Sequence, residues 1–282
     1  MSRATDIAAR LREVRQQIAE AEARAGRPPG SARLLAVSKK MPADDVRAAL
    51  AAGQRDFGEN YANELRDKRA ELGGEAGWPV PAELAAPPPA GASSTVRAPR
   101  WHYIGPLQRN KAKVLVGQVA LIHSVADAEL VDELERRAAA APRPALVDGV
   151  GGADRTSGAG PNEDRPAAST ACLVQVNVAG EAQKSGVAPG ALSAVLDRFA
   201  TAAHVHCVGL MLIPPLAPVA EDSRRHFAAL RALAEHEDRI ARPRVQLREL
   251  SMGMSGDFAV AIEEGATLVR VGTAIFGERA RP

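Results

Sequence analysis

Aromatic residues are scarce, at 3% of 282, and charge of one sign is scarcer still: 36 lysines and arginines face 34 aspartates and glutamates, a formal net charge of +2. A nucleic-acid binder needs a basic face, usually with aromatics to stack on bases, so composition gives that class little support. Cysteine is nearly absent. Cys172 and Cys207 both sit inside apolar, strand-like runs and show no metal-ligand spacing. This argues against a secreted disulfide scaffold and makes a reducing cytoplasm the expected location. No apolar run approaches the length of a membrane span, and Met1 to Asp6 lack the apolar stretch of a signal peptide. The chain does have ordinary core-forming material. With 46% hydrophobic and 25% charged residues, it is apolar enough to bury a sizeable core, and wholesale disorder is excluded.

Periodicity sets the organisation. Ile7, Leu11, Val14 and Ile18 recur at helical spacing and predict an amphipathic helix over Thr5 to Ala25, ended by Gly26 and Pro28-Pro29. Short β-branched or apolar runs then alternate with helical stretches. The expected strands are Arg33–Ser38, Arg55–Phe57, Trp101–Ile104, Val119–His123, Cys172–Val178, Val205–Ile213, Val245–Leu250 and Thr267–Val271. The helices between them are expected at Ala43–Ala52, Tyr61–Leu72, Ala126–Ala140, Ala191–Ala202, Glu221–Ile240 and Asp257–Glu264. Alternation of this kind gives parallel strands with right-handed crossovers. Eight strands in a chain of this length predict an α/β fold, a single closed (β/α)₈ TIM-type barrel with an extra N-terminal helix; a doubly wound sheet is the competing architecture.

Two stretches interrupt the rhythm. Residues 73–99 and 142–169 are crowded with Ala, Pro and Gly and lack hydrophobic periodicity. Neither can offset the entropy of ordering by burial, so both read as flexible loop insertions. The alternation resumes after each, so residues 1–282 are expected to form one domain.

The first strand runs into Ser38-Lys39-Lys40-Met41-Pro42. Side chains at the carboxyl ends of barrel strands project into the functional face, where a partly desolvated lysine amine suits capture of an aldehyde. A solvated lysine pair entering a turn is the plain alternative. After the seventh strand, Ser251-Met252-Gly253-Met254-Ser255-Gly256-Asp257 opens a helix, and after the eighth, Gly272-Thr273 begins a short helical segment. Loops seven and eight are the usual phosphate cradle of this barrel class. Arg270, two residues before Gly272, shares the inward face of its strand. It either pairs with a carboxylate such as Glu249 or Glu59, or donates to an anionic or nitrogen-bearing ligand.

These segments carry a resemblance. Leu35 to Lys39, Asp56 to Tyr61, Trp101 to Gln108, Lys184-Ser185-Gly186, Gly209-Leu210-Met211, Leu250 to Ser255 and Arg270 to Gly277 resemble, in order, the motifs of the YggS/PROSC family of pyridoxal-phosphate homeostasis proteins. They span the chain from Leu34 to Glu278. The two insertions depart from the family's usual compactness. The resemblance implies a fold type III barrel like the barrel half of alanine racemase, with pyridoxal 5′-phosphate held as an internal aldimine. By motif position the aldimine lysine is Lys39. Ser251, Gly253, Met254, Ser255, Gly272 and Thr273 fall on the phosphate loops, Arg270 falls against the pyridine nitrogen, and Asn60 lines the same mouth.

An arginine at the ring nitrogen cannot accept its proton, which leaves the cofactor a poor electron sink. Nothing resembling a second β domain follows the eighth strand, so the expected role is storage and delivery of the cofactor, affecting amino-acid and keto-acid balance. The alternative is a pyridoxal-phosphate-dependent racemase or related enzyme, with His102, Tyr61 or Tyr103 as its base. Apo-enzymes of this cofactor are the expected transient partners, and the chain is expected to be a monomer or weak dimer. Lys184, after the fifth strand, is either a solvated loop lysine or a second, weaker cofactor docking point.

Overall fold

The computed structural model describes residues 2–72, 99–141, 169–181 and 185–278. Both stretches expected as insertions, 73–99 and 142–169, fall almost wholly outside these residues.

Eight parallel strands close on themselves: β1 Arg33–Val37, β2 Asp56–Glu59, β3 Arg100–Tyr103, β4 Leu121–Val125, β5 Thr170–Gln175, β6 Val205–Met211, β7 Val245–Ser251 and β8 Leu268–Val271. The β1–β8 ladder, from Arg33 opposite Leu268 to Ala36 opposite Val271, makes the closure and overrules the doubly wound sheet. The helices are α1 Arg3–Arg24, α2 Ala43–Ala51, α3 Ala62–Glu71, α4 Ala112–Leu115, α5 Ala128–Ala140, α6 Leu192–Ala200, α7 Arg224–Asp238, α8 Phe258–Glu263 and α9 Thr273–Phe276.

Expected strands and observed strands agree in number and order, and differ at their ends. β2 runs on to Glu59 and β4 to Val125, because the neighbouring strands supply ladder partners to polar residues that carry no strand signal alone. β5 starts earlier, at Thr170, and stops at Gln175; Val176 makes only an isolated bridge to Val187. The short α4 was not foreshadowed by any apolar repeat.

Outward strand residues such as Leu34, Ala36, Phe57, Trp101, Ile122 and Val174 share one apolar core with the buried faces of the helices. Inside the barrel, Leu121, Leu173, Met211 and Leu268 form a separate small cluster. Helix α1 buries Ile7, Leu11, Val14 and Ile18 and packs on α2, α8 and α9. The Ser2 hydroxyl caps it by accepting from the Thr5 N–H at 3.2 Å, and Arg3 ties it to Asp45 at 2.6 Å and to the Phe276 carbonyl at 2.8 Å.

Helix α3 carries a buried cation to the end of β1. Lys68 Nζ donates to the Ser38 carbonyl at 2.6 Å and to carboxylate oxygens of Glu59 and Glu64, each at 2.7 Å. Ser38 Oγ donates to the same Glu59 oxygen at 2.7 Å. Glu64 also accepts the N–H of Lys40, which has a left-handed φ of 61°. The backbone on both sides of Lys39 is therefore clamped to α3. Burial drives the Glu59 carboxyl above its ordinary pKa, against the opposing pull of Lys68 and Ser38.

Two tests follow from this packing. A Cβ on Gly209 would lie 1.9 Å from the Glu249 carbonyl oxygen across the β6–β7 pair. Gly209→Ala is expected to destabilise the fold by about 2–3 kcal/mol in urea unfolding, the scale of overpacking. Lys68→Met removes the cation and strands the Glu59 charge, with an expected cost at neutral pH of about 3–5 kcal/mol. A carboxyl whose pKa is higher folded than unfolded gains a proton on folding, so its contribution weakens as pH rises through that interval. The Lys68→Met deficit should accordingly shrink on acidification towards pH values where Glu59 is protonated, and the Glu59→Gln/Lys68→Met pair should recover most of it.

Candidate functional site

Burial separates the two lysines. Leu35 points into the barrel, where its side chain lies 3.3 Å from the place a Cβ on Gly58 would take. Val37, the last residue of β1, continues that inward alternation, and Lys39, in the turn two residues beyond it, is half-buried. Lys40 is exposed, with its ammonium 6.0 Å from the centre of the Tyr61 ring.

Closure of the barrel puts β8 beside this strand end. A Cβ on Gly272 would lie 3.3 Å from the Val37 carbonyl oxygen, so the loop after β8 passes against the residue two before Lys39. The loop after β7 joins it: the Gly272 N–H donates to Ser255 Oγ at 3.3 Å. Asp257 shapes that second loop by accepting the Met254 N–H at 2.6 Å. Gly253 adopts φ +89°, and a Cβ there would come within 2.6 Å of Ala261, so no other residue fits the turn. Thr273 is exposed at the first position of α9, whose leading amides have no intrahelical acceptor. Ser255 and Gly272 are thus joined at the carboxyl end of the barrel, with Thr273 next in the chain and Val37, two residues before Lys39, against Gly272.

Asn60 follows β2 at the same end, held by contact with the loop after β3: a Cβ on Gly105 would fall 2.1 Å from the Asn60 carbonyl oxygen. Its buried Oδ1 has no hydrogen-bond partner among the described residues.

Arg270, on β8 two residues before Gly272, is 4% exposed. One terminal nitrogen donates to Ser251 Oγ at 2.8 Å and the other to the Leu212 carbonyl at 2.9 Å. Neither expected carboxylate pairs with it. Glu249 is taken by Arg33 at 2.5 Å, and Glu59 by Lys68. Burial lowers the Arg270 pKa to about 10, which leaves it a cation at neutral pH. Ser251, expected on the phosphate loop, instead turns its hydroxyl inward, towards Arg270 and towards His123 Nδ1 at 2.8 Å.

The interior holds a polar chain that sequence reasoning missed. His123 Nε2 is 3.0 Å from His102 Nδ1, and His102 Nε2 is 3.0 Å from Asp56 Oδ1. Arg100 donates to the other Asp56 oxygen at 2.5 Å. Burial opposes ionisation of Asp56, but His102 and Arg100 outweigh it and bring its pKa down to about 2. Burial, reinforced by His102 and Arg270, holds His123 well below its ordinary pKa. The available signal was parity, since Asp56, His102, His123 and Arg270 all occupy inward positions of their strands.

The residues named as possible bases are placed differently. His102 is committed to the interior chain. Tyr103 is buried with its hydroxyl donating to the Pro106 carbonyl, and burial raises its pKa. Tyr61 is 49% exposed beside Lys40. Cys172 and Cys207 face each other in the β5–β6 register; burial raises both thiols, Cys207 to about 12, so neither is a nucleophile at neutral pH. Among the described residues, no group of acidic, histidine or cysteine side chains forms a metal site, and no helix is long and apolar enough to cross a membrane. Lys184 lies outside the described residues.

Comparison with known proteins follows this geometry. Residues 9–280 match the family described as alanine racemase, N-terminal domain. The chain is 38% identical over 275 residues to the pyridoxal phosphate homeostasis protein of Pseudomonas aeruginosa, covering 97% of this chain and 96% of that one. It is 37% identical over 270 residues to the protein of the same name from Aquifex aeolicus, covering 96% and 97%. Among solved structures, PipY of Synechococcus elongatus with pyridoxal phosphate bound is similar at 34% identity and a TM-score of 0.68, covering 96% of this chain and all of that one. Matches at this identity over nearly the full length of each chain establish that the protein belongs to the pyridoxal phosphate homeostasis protein family, built on the alanine racemase N-terminal domain fold.

Proposed function

We propose that this chain binds pyridoxal 5′-phosphate covalently through Lys39, and stores it and delivers it to apo-enzymes in the cytoplasm. The observation that carries this reading is the tie between Ser255 and Gly272, which joins two phosphate-type loops directly beside the strand end bearing Lys39. The residues fit the group in other ways: Asn60 has a buried oxygen without a partner among the described residues, and Arg270 is a buried cation hydrogen-bonded to a hydroxyl and a carbonyl, with the Asp257 charge supporting it. When bound, pyridoxal phosphate supplies an aldehyde that an amine captures reversibly and a ring that withdraws electrons.

The chain's own residues do the holding. Ser255, Gly253, Met254, Gly272 and Thr273 supply hydroxyls and backbone amides for a phosphate, with glycines where backbone must come close. Lys39, clamped on both sides by the Lys68–Glu64 contacts, presents its amine without first ordering a loop. Arg270 keeps its proton at neutral pH, and if it faced the ring nitrogen it would be unable to take a proton from it, and so would not promote carbanion formation. His102 and Tyr103 are engaged elsewhere, which favours retention and exchange of the cofactor over turnover of amino acids.

Lys39→Ala is expected to abolish the visible absorbance of protein incubated with pyridoxal phosphate, and the label fixed by borohydride and located by mass spectrometry. Lys40→Ala should retain both. A label on Lys40 instead would mean that the inward series of β1 is misassigned by one residue. Ser255→Ala and Thr273→Ala should each weaken cofactor retention by about 1–2 kcal/mol in equilibrium dialysis, the scale of a hydrogen bond to a charged group. Gly272→Val should weaken it more, because its side chain would press on Val37.

A further inference from the structure

Five inward side chains form an unbroken string across the barrel interior, from Arg270 on β8 through Ser251, His123 and His102 to Asp56 on β2. The string crosses the lumen sideways, from β8 and β7 to β4, β3 and β2. Ser251 is the last residue of β7, and Asp56 and Arg100 are the first of β2 and β3. All five side chains are buried, Ser251 and His123 completely.

The protons in the string have one direction. Arg270 can only donate, so Ser251 Oγ accepts from it. At the far end Asp56 is ionised and pinned by Arg100, so it accepts, and His102 Nε2 must carry a proton. If His102 is neutral, its Nδ1 accepts from His123 Nε2–H, and His123 Nδ1 accepts the Ser251 hydroxyl proton. Every donor then has one acceptor. In the reverse arrangement His123 Nδ1–H would donate to Ser251, whose hydroxyl proton would face no acceptor among the described residues. A buried hydroxyl left in that state is costly.

We propose that Asp56, His102 and His123 are positioning residues which act through Ser251 to fix the guanidinium of Arg270 against the cofactor's ring nitrogen. The carboxylate sets the tautomer of both histidines, these hold the Ser251 hydroxyl facing away from Arg270, and its lone pair then holds one arm of the guanidinium. The Leu212 carbonyl holds the other arm. The inference rests on the functional reading above, since it assigns the string a ligand to serve.

The test has two arms. Nitrogen-15 NMR of the full-length, cofactor-free protein distinguishes the two histidine tautomers, and with six histidines in the chain the spectrum is readily assigned by substitution. Nε2–H at both His102 and His123 is expected in the wild type. Asp56→Asn is expected to invert both to Nδ1–H, because its carboxamide must offer oxygen to Arg100 and NH₂ to His102. In the second arm, Asp56→Asn and His123→Phe should bind pyridoxal phosphate with a dissociation constant raised roughly tenfold, on the order of one hydrogen bond, while borohydride still places the label on Lys39. A purely structural role would lower the unfolding midpoint of these variants and leave the dissociation constant alone. An Nδ1–H tautomer on either histidine of the wild type overturns the proposal, and this measurement decides even if neither variant folds. So does an unchanged dissociation constant in a folded Asp56→Asn whose wild-type parent binds the cofactor. A wild type that takes up no cofactor at all fails earlier and separately, and sinks the functional reading itself.

Discussion

The parallel pairing of β1 with β8 is the contact on which the site depends. These strands are separated by more than two hundred residues, and closing that loop carries a large entropic cost before any contact rewards it. Leu34, Leu35, Val269 and Val271, all buried, make the closure favourable. Once Ala36 lies opposite Val271, the strand end bearing Lys39 sits beside the loop that begins at Gly272. The same closure brings Arg270 inward, two residues before Gly272. Without it a lysine and two glycine-containing turns remain unrelated surface features.

Around this closure the barrel divides its buried polar groups into two sets by strand parity. Outward-facing Ser38 and Glu59 meet Lys68 of α3 and anchor the backbone that flanks Lys39. Inward-facing Asp56, His102, His123, Ser251 and Arg270 meet one another across the lumen. The residues just past the end of β1 join the first set: the Ser38 hydroxyl and carbonyl meet Glu59 and Lys68, and so steady the backbone that leads into Lys39. Both sets place a charge in a low-dielectric interior, and both satisfy it with partners drawn from elements far apart in sequence. Such groups are costly in isolation and specific in combination, which suits a site that must hold its geometry whether or not a ligand is present.

Much was legible in the sequence because it depends on short-range pattern. Period-two apolar runs and period-3.6 stripes gave eight strands and the intervening helices, and the strand count together with the length led to the barrel. The segments from Leu35 to Lys39, Leu250 to Ser255 and Arg270 to Gly277 are contiguous, so their chemistry could be read without knowing what they approach. Strand ends were less legible. Glu59 enters its strand because the neighbouring ladder, opposite Tyr103, recruits it, which no local propensity records.

What the sequence by itself determined is the alternation of strands and helices, the place of Lys39 just past the end of β1, and the presence of two glycine-bearing turns after β7 and β8. Each of these follows from residue spacing along a single strand or turn, where backbone geometry alone fixes side-chain direction. Closure into a barrel, against the competing doubly wound sheet, was decided by the β1–β8 ladder. Only the tertiary structure decided which groups face each other. Arg270 was expected either beside a carboxylate such as Glu249 or Glu59 or as a donor to a ligand, and Ser251 on the phosphate loop; the fold gives those carboxylates to Arg33 and Lys68, and turns Ser251 towards Arg270 and His123. The physical reason is that a buried charge takes whichever partner the closed barrel puts within hydrogen-bond reach, and across a lumen that partner is set by strand stagger and depth, quantities that no one-dimensional spacing contains.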